Sequence, residues 1–485
     1  MDVRDPGAWR HRSDSPHEEC GLIGVWTKDG ADLARRCFFG LFTLQHRGQE
    51  SAGIAVTDGD GVACEKGMGL VTQVFTEDRI KSLRGHAGIG HTRYSTTGST
   101  TIQNAQPILG SFRGQPFALA HNGNLVNAVA LRAEMEALGC RFVSTSDTEL
   151  IVRLIELSPE TEFEAALRGA LTQVRGAYSL VILTPDRLIG LRDPWGIRPL
   201  CLGRDANDGY VMASETCALR LLQARLVREI EPGEMVVAGN DGLRAEVCEP
   251  YVRDSLCVFE FIYFARPDSR MYGREIYGLR RKMGHMLAEQ HPVDADLVIG
   301  IPDTGVPAAI GYSEASRIPY SEGLLKNRYI QRTFIQPDPK MRRLGVSMKL
   351  APLHDVLNGK RLVVVDDSIV RGTTTDQQVD LLRQAGAAEV HLRICAPPIR
   401  YPCFYGIDMA NQSELIAASL SVEQIRQKTG ADSLGYLSIA NLARALGIPR
   451  DKFCMACFDG RYPLEIPQDV RATKFSLEKE APDAQ

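Results

Sequence analysis

The sequence predicts two unlike domains in one chain: β-sheets covered by helices in the first half, and a parallel, doubly wound α/β sheet in the second. Short β-type runs dominate from Cys20 to about Pro250. They include Gly21-Leu-Ile-Gly-Val-Trp, Phe117-Ala-Leu-Ala-His, Ala177-Tyr-Ser-Leu-Val-Ile-Leu and Gly209-Tyr-Val-Met-Ala-Ser, with helical patterns near residues 127–138 and 148–157. From about Gly273 the rhythm changes to strand, loop, helix: a helical pattern over 274–290, a buried strand Asp296-Leu-Val-Ile-Gly-Ile, and a small-residue helix over 306–315. The same grammar then repeats as a strand Arg361-Leu-Val-Val-Val-Asp-Asp, a helix over 374–384 stopped by Gly386, and a strand Val390-His-Leu-Arg-Ile-Cys. Such alternation predicts a parallel sheet with helices on both faces.

Composition bounds the rest. A chain of 485 residues is large enough for several domains with substantial cores. Its net charge of -4, with both signs well mixed, gives no long-range pull on nucleic acid or an anionic membrane, so a polyanion must be caught locally. The longest apolar runs are strand-sized and too short to span a bilayer. Residues 1–19 are charged, lack the apolar core of a secretory signal and are expected to be a disordered leader. Twelve cysteines are too sparse for a disulfide scaffold, so a reducing cytoplasm is expected. The expected division is a propeptide over 1–19, a first domain over 20–250, a second over 251–465, and a polar, mobile tail over 466–485.

The strongest single motif is Val363-Val-Val-Asp-Asp-Ser-Ile-Val-Arg-Gly-Thr-Thr-Thr375. An apolar strand delivers Asp366 and Asp367 to its carboxyl end, where ligands of open α/β sheets bind, and a turn then opens a helix. Neighbouring strand residues face opposite sides, so one carboxylate can engage a ribose hydroxyl or metal while the other supports the loop. Ser368, Arg371, Gly372, Thr373 and Thr374 bring hydroxyls, small residues and N–H groups to a helix N-terminus, a receptor for one phosphate. An isolated Asp-Asp pair would more often cap a sheet edge. The whole stretch resembles the fingerprint of type I phosphoribosyltransferases. By that resemblance, Ile301-Pro-Asp-Thr-Gly-Val is a pyrophosphate loop whose Thr304 joins Asp366 and Asp367 around Mg²⁺. The basic stretch from Lys326 through Arg332 to Lys349 resembles the flexible lid of that family, with Lys326 and Arg332 as its phosphate-contacting candidates.

In the first half, removal of the leader would make Cys20 the first residue, placing a thiol beside a free α-amine. With a pKa near 8, that amine can take the thiol proton, so the nucleophile carries its own base. A lone cysteine before a strand is more often part of a core. Three further pieces favour chemistry. Gly90-His-Thr-Arg-Tyr-Ser-Thr-Thr-Gly98 offers Arg93 for a carboxylate, and Ser144-Thr-Ser-Asp-Thr-Glu149 offers Asp147 for an ammonium. His121-Asn-Gly-Asn124 is expected to end a strand with a turn whose Asn122 amide and Gly123 N–H hold an oxyanion. Together these groups suit glutamine. With Gln45-His-Arg-Gly-Gln-Glu-Ser-Ala-Gly53 and Arg192-Asp-Pro-Trp-Gly-Ile-Arg-Pro199, they resemble class II, N-terminal-nucleophile glutamine amidotransferases from Cys20 to about Pro232. That resemblance implies an αββα sandwich, with Arg47 a possible partner of Cys20 and with His91 and His121 structural.

An amidotransferase domain fused to a phosphoribosyltransferase domain resembles the glutamine phosphoribosylpyrophosphate amidotransferase family from Cys20 to Pro463. This implies synthesis of 5-phosphoribosylamine from glutamine and phosphoribosyl pyrophosphate, the first committed step of purine synthesis. It further implies a thioester at Cys20, channelled ammonia, purine nucleotides as feedback inhibitors, and a homotetramer. Cys454-Met-Ala-Cys457 by itself reads as a redox couple or as half a zinc site. Resemblance to leader-bearing members implies instead that Cys257, Cys403, Cys454 and Cys457 ligate a [4Fe-4S] cluster, with Cys248 and Cys395 as nearby competitors. Two rivals stand beside this reading. Another class II amidotransferase, such as a sugar-phosphate aminating synthase, would need a sugar-isomerase domain in place of the Asp366-Asp367 loop. A regulatory sensor of phosphoribosyl pyrophosphate would have no reason to keep Cys20, Arg93, Asn122 and Asp147 together.

Overall fold

A computed structural model describes residues 20–467 apart from 29, 31, 95–97, 328–348 and 410, together with Leu477. The expected leader, Arg332 with most of the expected lid, and most of the expected tail lie outside the described residues.

The first half builds β1 (Gly21–Trp26), β2 (Ser51–Thr57), β3 (Val62–Met68), β4 (Ala87–Arg93), β5 (Ile108–Phe112), β6 (Gln115–Leu125) and β7 (Gly176–Leu183). It continues with β8 (Arg187–Arg192), β9 (Cys201–Arg204), β10 (Tyr210–Ala213), β11 (Arg225–Glu229), β12 (Glu234–Gly239) and β13 (Gly242–Val247). Two sheets result, in the orders β11-β9-β10-β1-β4-β2-β3 and β13-β12-β8-β7-β6-β5. β1 and β7 are buried at every position, as strands covered on both faces must be. Leu22, Ile89, Val181, Leu188 and Met212 fill the space between the sheets. The outer faces are covered by helices: Leu33, Cys37 and Leu41 of Leu33–Thr43 pack on the first sheet, and residues of Thr148–Glu156 and Phe163–Leu171 pack on the second. The result is the expected αββα sandwich.

The second half holds a parallel sheet of strands Leu297–Gly300, Arg361–Asp366, Glu389–Ile394 and Ser433–Tyr436, in that order. Alternation along Arg361–Asp366 serves two cores. Val363 and Val365 meet Met283, Leu287 and Ala309 on one face, while Leu362 and Val364 meet Val379 and Leu382 on the other. Helices Ile276–Gln290 and Val306–Ser316 cross so tightly that a Cβ on Gly311 would stand 1.9 Å from the carbonyl oxygen of Arg281.

The halves join beside Leu256–Cys257, which pairs in parallel with Phe453–Cys454 and whose Cys257 N–H donates to the carbonyl of Ile197 at 3.2 Å, after which Glu260–Phe264 forms a short π-helical turn. Buried Arg280 donates to the carbonyls of Phe261, Tyr263 and Ala265 at 3.0, 2.9 and 2.8 Å and so holds that turn. Within the expected mobile tail, Leu477 is instead buried with Leu150, Ile155 and Leu167 of the sandwich, so the chain returns to the first domain there. Among the described residues, no helix is long and apolar enough to cross a membrane.

Gly311→Ala is expected to cost about 1–3 kcal/mol or more by forcing the two helices apart. Gly278→Ala is the control, because its added methyl meets nothing within 4 Å and helix propensity favours alanine there. Thermal denaturation should show a lower Tm for the first variant and an equal or higher one for the second.

Candidate active sites

Sheet register decides where the cysteine stands. Gly21 pairs with Thr92 of β4, so Cys20, one residue before β1, lies beside Arg93 at the end of β4. Its Sγ donates to the carbonyl of Tyr94 at 3.5 Å. Burial pushes the thiol up to about 11, against the pull of that hydrogen bond and of the Arg93 charge, while the charges of Asp147 and Glu50 raise it further. Three charged groups therefore act on one sulfur. A thiol held that high is not a standing thiolate at neutral pH and needs a base at hand.

Arg93 is buried, donates from Nη1 to the carbonyl of Ser99 at 3.1 Å, and lies 3.9 Å from Glu50. Asp147 immediately precedes the helix Thr148–Glu156, and its Oδ2 accepts the N–H of Leu125 at 3.0 Å. Sequence reasoning did not single out Glu50, although it lies inside the quoted Gln45 motif. A glutamate in a polar loop gives no local sign that folding will bring it to a thiol.

The expected turn at 121–124 is not a turn. β6 runs on to Leu125, and Asn122, Gly123 and Asn124 pair with Ser179, Tyr178 and Ala177. Tyr178 uses its main-chain N–H and C=O on Asp193, so Gly123 opposite it is a non-hydrogen-bonded pair and its N–H leaves the other edge of β6. The N–H groups of His121 and Leu125 leave by the same edge, to Gln106 Oε1 at 2.7 Å and to Asp147. Asn122 is buried, and its Nδ2 has no hydrogen-bond partner among the described residues. A buried amide donor left open is costly unless something accepts from it, and an oxyanion would. Only glycine fits at 123, since a Cβ there would stand 1.9 Å from the carbonyl oxygen of Ala177.

The two histidines expected to be structural are both buried. His91 contacts the carbonyl of His121 at 3.1 Å, and burial lowers both rings, His91 to about 3, so they stay neutral. Arg47 does partner Cys20, though through its carbonyl, to which Nε donates at 3.2 Å. Its Nη groups bind Glu215 at 2.6 Å and Glu260 at 2.5 Å, one carboxylate from each half of the chain. The Arg192–Pro199 stretch also reaches across: buried Arg198 donates from Nε to the carbonyl of Tyr405 at 2.8 Å.

In the second half, the Ile301-Pro-Asp-Thr-Gly-Val loop and the 366–374 segment share the carboxyl edge of the sheet, tied by the bond from Ile301 N–H to the carbonyl of Val365 at 2.9 Å. Asp367 is buried and accepts from Ser368 Oγ at 2.6 Å and from Thr304 Oγ. Burial is the largest influence on its carboxyl and raises it, opposed by those hydroxyls and by Arg280. Asp366 is half-buried and accepts the N–H of Asp367 at 2.8 Å. Gly372 turns the chain into the helix Thr373–Gln384, whose first residues include Thr373, exposed, and Thr374, half-buried. Arg371 is held by Glu414 at 2.6 Å, and exposed Lys326 pairs with Asp303 of the 301–305 loop at 2.6 Å. Thr304, Asp366 and Asp367 offer the oxygen donors a hard cation takes.

Cys257, Cys403, Cys454 and Cys457 are all free thiols, and Cys257 faces Cys454 across the short parallel pairing. Burial pushes Cys257 and Cys454 up to about 12, and the charges of the other cysteines raise Cys257, Cys454 and Cys457 further. Cys257, Cys454 and Cys457 thus lie within electrostatic range of other cysteines of the set, Cys403 included. Cys395 instead feels Asp367 and Asp366, and Cys248 feels Glu249, so these two competitors stand elsewhere. Among the described residues, no group of three or more histidine, cysteine, aspartate or glutamate side chains is gathered to hold a metal ion.

A glutamine amidotransferase domain family matches residues 91–221. The chain is 51% identical over 472 residues to an amidophosphoribosyltransferase of Synechococcus elongatus, covering 96% of each chain. It is 47% identical over 461 residues to that of Bacillus subtilis, covering 94% of this chain and 96% of the other. Its structure resembles that of the glutamine phosphoribosylpyrophosphate amidotransferase from B. subtilis complexed with ADP and GMP, with a TM-score of 0.88 and 46% identity, covering 93% of this chain and 98% of that one.

Replacing the open amide donor tests the site directly. Asn122→Ala is expected to lower kcat for glutamine hydrolysis by about 10²–10³-fold, with KM for glutamine little changed, in steady-state assays of glutamate release.

Proposed function

Because the chain belongs to the amidophosphoribosyltransferase family, we propose that Cys20 attacks the glutamine amide and that the 366–374 segment receives the phosphoribosyl group. The chain is a pentosyltransferase of purine synthesis, converting glutamine, phosphoribosyl pyrophosphate and water to 5-phosphoribosylamine, glutamate and pyrophosphate. One observation carries the division of labour: Arg93 and Asp147 both act on the Cys20 sulfur in one domain, while the other presents a phosphate-type loop at the end of a parallel sheet.

In the first half-reaction, removal of residues 1–19 frees the Cys20 α-amine. Arg93 binds the α-carboxylate of glutamine and Asp147 its ammonium. Cys20 Sγ adds to the side-chain carbonyl carbon while its proton passes to the α-amine, and Asn122 Nδ2 and Gly123 N–H receive the oxyanion. The tetrahedral intermediate expels ammonia, to which the α-ammonium returns its proton, leaving a γ-glutamyl thioester that water hydrolyses to glutamate. Ammonia then passes inside the protein to the second domain and displaces pyrophosphate at C1 with inversion.

There, the N–H groups and hydroxyls at 368 and 371–374 hold the 5-phosphate, and Asp366 faces the ribose hydroxyls while Asp367 braces the loop. Lys326 and Arg332 neutralise the departing pyrophosphate. Thr304, Asp366 and Asp367 would hold Mg²⁺, which supplies charge neutralisation at the leaving group. Cys257, Cys403, Cys454 and Cys457 would hold a [4Fe-4S] cluster, which supplies a cross-link between distant segments; neither half-reaction moves electrons. Cys257, Cys454 and Cys457, whose proton affinity is raised by the other cysteines of the set, support a cationic occupant. The nucleotides bound by a solved relative support purine nucleotides as inhibitors, and a homotetrameric, cytoplasmic enzyme completes the reading.

Cys20→Ala is expected to abolish glutamine-dependent synthesis and leave ammonia-dependent synthesis intact; equal loss of both would contradict the assignment. Intact mass of the purified protein should show the first nineteen residues missing. The thiol stays protonated below about 11, so deprotonation of the α-amine controls attack. kcat/KM for glutamine should therefore rise with pH and level off above about 8. A pH-independent rate down to about pH 6 would point to a preformed thiolate.

A further inference from the structure

We propose that residues 403–406 of the second domain are a positioning element of the glutamine site, holding Asn122 and Gly123 where they meet the oxyanion. This rests on the reading of those two residues as oxyanion donors. β6 is paired with β5 from Gln115 to Leu119, so the part that carries Asn122 and Gly123 has β7 on one side and, among the described residues, no strand on the other. Half-paired strands need other contacts to fix their position.

The loop at 403–406 supplies them from 280 residues away: Asn124 Nδ2 donates to the carbonyl of Phe404 at 3.0 Å. Gly406, in the left-handed region at φ 111°, lies against Gly123 itself, where a Cβ would stand 3.2 Å from that residue's carbonyl carbon and oxygen.

The loop is itself rigidly placed. Tyr405 offers its carbonyl to Arg198, and its hydroxyl donates to the carbonyl of Leu464 at 3.0 Å and accepts that residue's N–H at 3.2 Å. The Tyr405 N–H donates to Cys403 Sγ at 3.4 Å. Arg198 closes the circuit, because its carbonyl accepts from Ser179 Oγ at 3.1 Å and Ser179 is the ladder partner of Asn122. One loop of the other domain thus touches Gly123 and Asn124 directly and reaches Ser179, the ladder partner of Asn122, through Arg198. It follows that the glutamine site is complete only when the two domains are docked.

Two opposite perturbations of the full-length protein test this: Gly406→Ala pushes on Gly123, and Asn124→Ala releases the tie to Phe404. Both are expected to lower kcat for glutamine hydrolysis by about 10–100-fold, since misplacement by an ångström or less costs that much, with KM for glutamine within about twofold. Ammonia-dependent synthesis should hold in both variants, and Tm in Asn124→Ala, which a merely structural role would not allow; Gly406→Ala is expected to lower Tm somewhat through its left-handed backbone. Asn122→Ala, run in parallel, separates the two levels. If it loses glutamine hydrolysis while the other two variants do not, the positioning role is wrong. If it keeps full activity, the reading of the donors is wrong. Equal loss of glutamine- and ammonia-dependent activity in Gly406→Ala and Asn124→Ala would also overturn the proposal.

Discussion

One guanidinium holds the two halves of this molecule in register. Arg47 is fully buried, with Glu215 of the sandwich on one side and Glu260 of the following segment on the other. Withdrawing such charges from water costs several kcal/mol per ion, and only close pairing offsets it. The pairing is close here. Burial, the largest influence on Glu215, pushes its carboxyl up, yet His46 and Arg47 hold it well below the usual carboxylate range. Burial acts against the charge on Arg47 as well and is outweighed by Glu260 and Glu215. Removing any one member would strand the others, a loss of about 3–5 kcal/mol for a buried pair. The junction therefore admits one registry, and the Cys20 carbonyl is tied into it through Arg47 Nε.

From that anchor, buried cations run along the junction towards both sites. The turn that carries Glu260 has its carbonyls held by Arg280, and Arg280 in turn bears electrostatically on Asp367 beside the phosphate-type loop. Arg198 does the same work at the other end, fixing Tyr405 beside the strand that carries Asn122 and Gly123. Arginine suits such places because its fork of N–H groups can satisfy several main-chain carbonyls at once while the charge remains.

Much of this was legible in sequence because it is local. A strand that ends in Asp366-Asp367 and a helix that opens at Thr373 lie within one short run, so the chain writes the loop directly. Cys20, Arg93, Asp147 and Asn122 were readable for a different reason: each sits in a motif with its own chemistry, and only their number made the set convincing. What escaped is what folding brings together. Glu215 and Glu260 lie 168 and 213 residues from Arg47, and nothing near either glutamate marks it as a buried ion. Asn122-Gly123 misled in the opposite sense. Asn-Gly is a strong hairpin signal, but ladder pairing with β7 overrides the local preference and keeps the segment extended.

Asp366 and Asp367 are separated by a single peptide bond yet answer to different masters. Both oxygens of Asp367 are engaged by neighbouring hydroxyls in the interior, so its chemistry is owed to the fold. Asp366 is half-buried and is bonded within this pair to its neighbour's N–H. At this strand end one carboxylate is thus committed to the interior while its neighbour stays partly open to solvent, so substitution at 367 weighs on folding far more than substitution at 366.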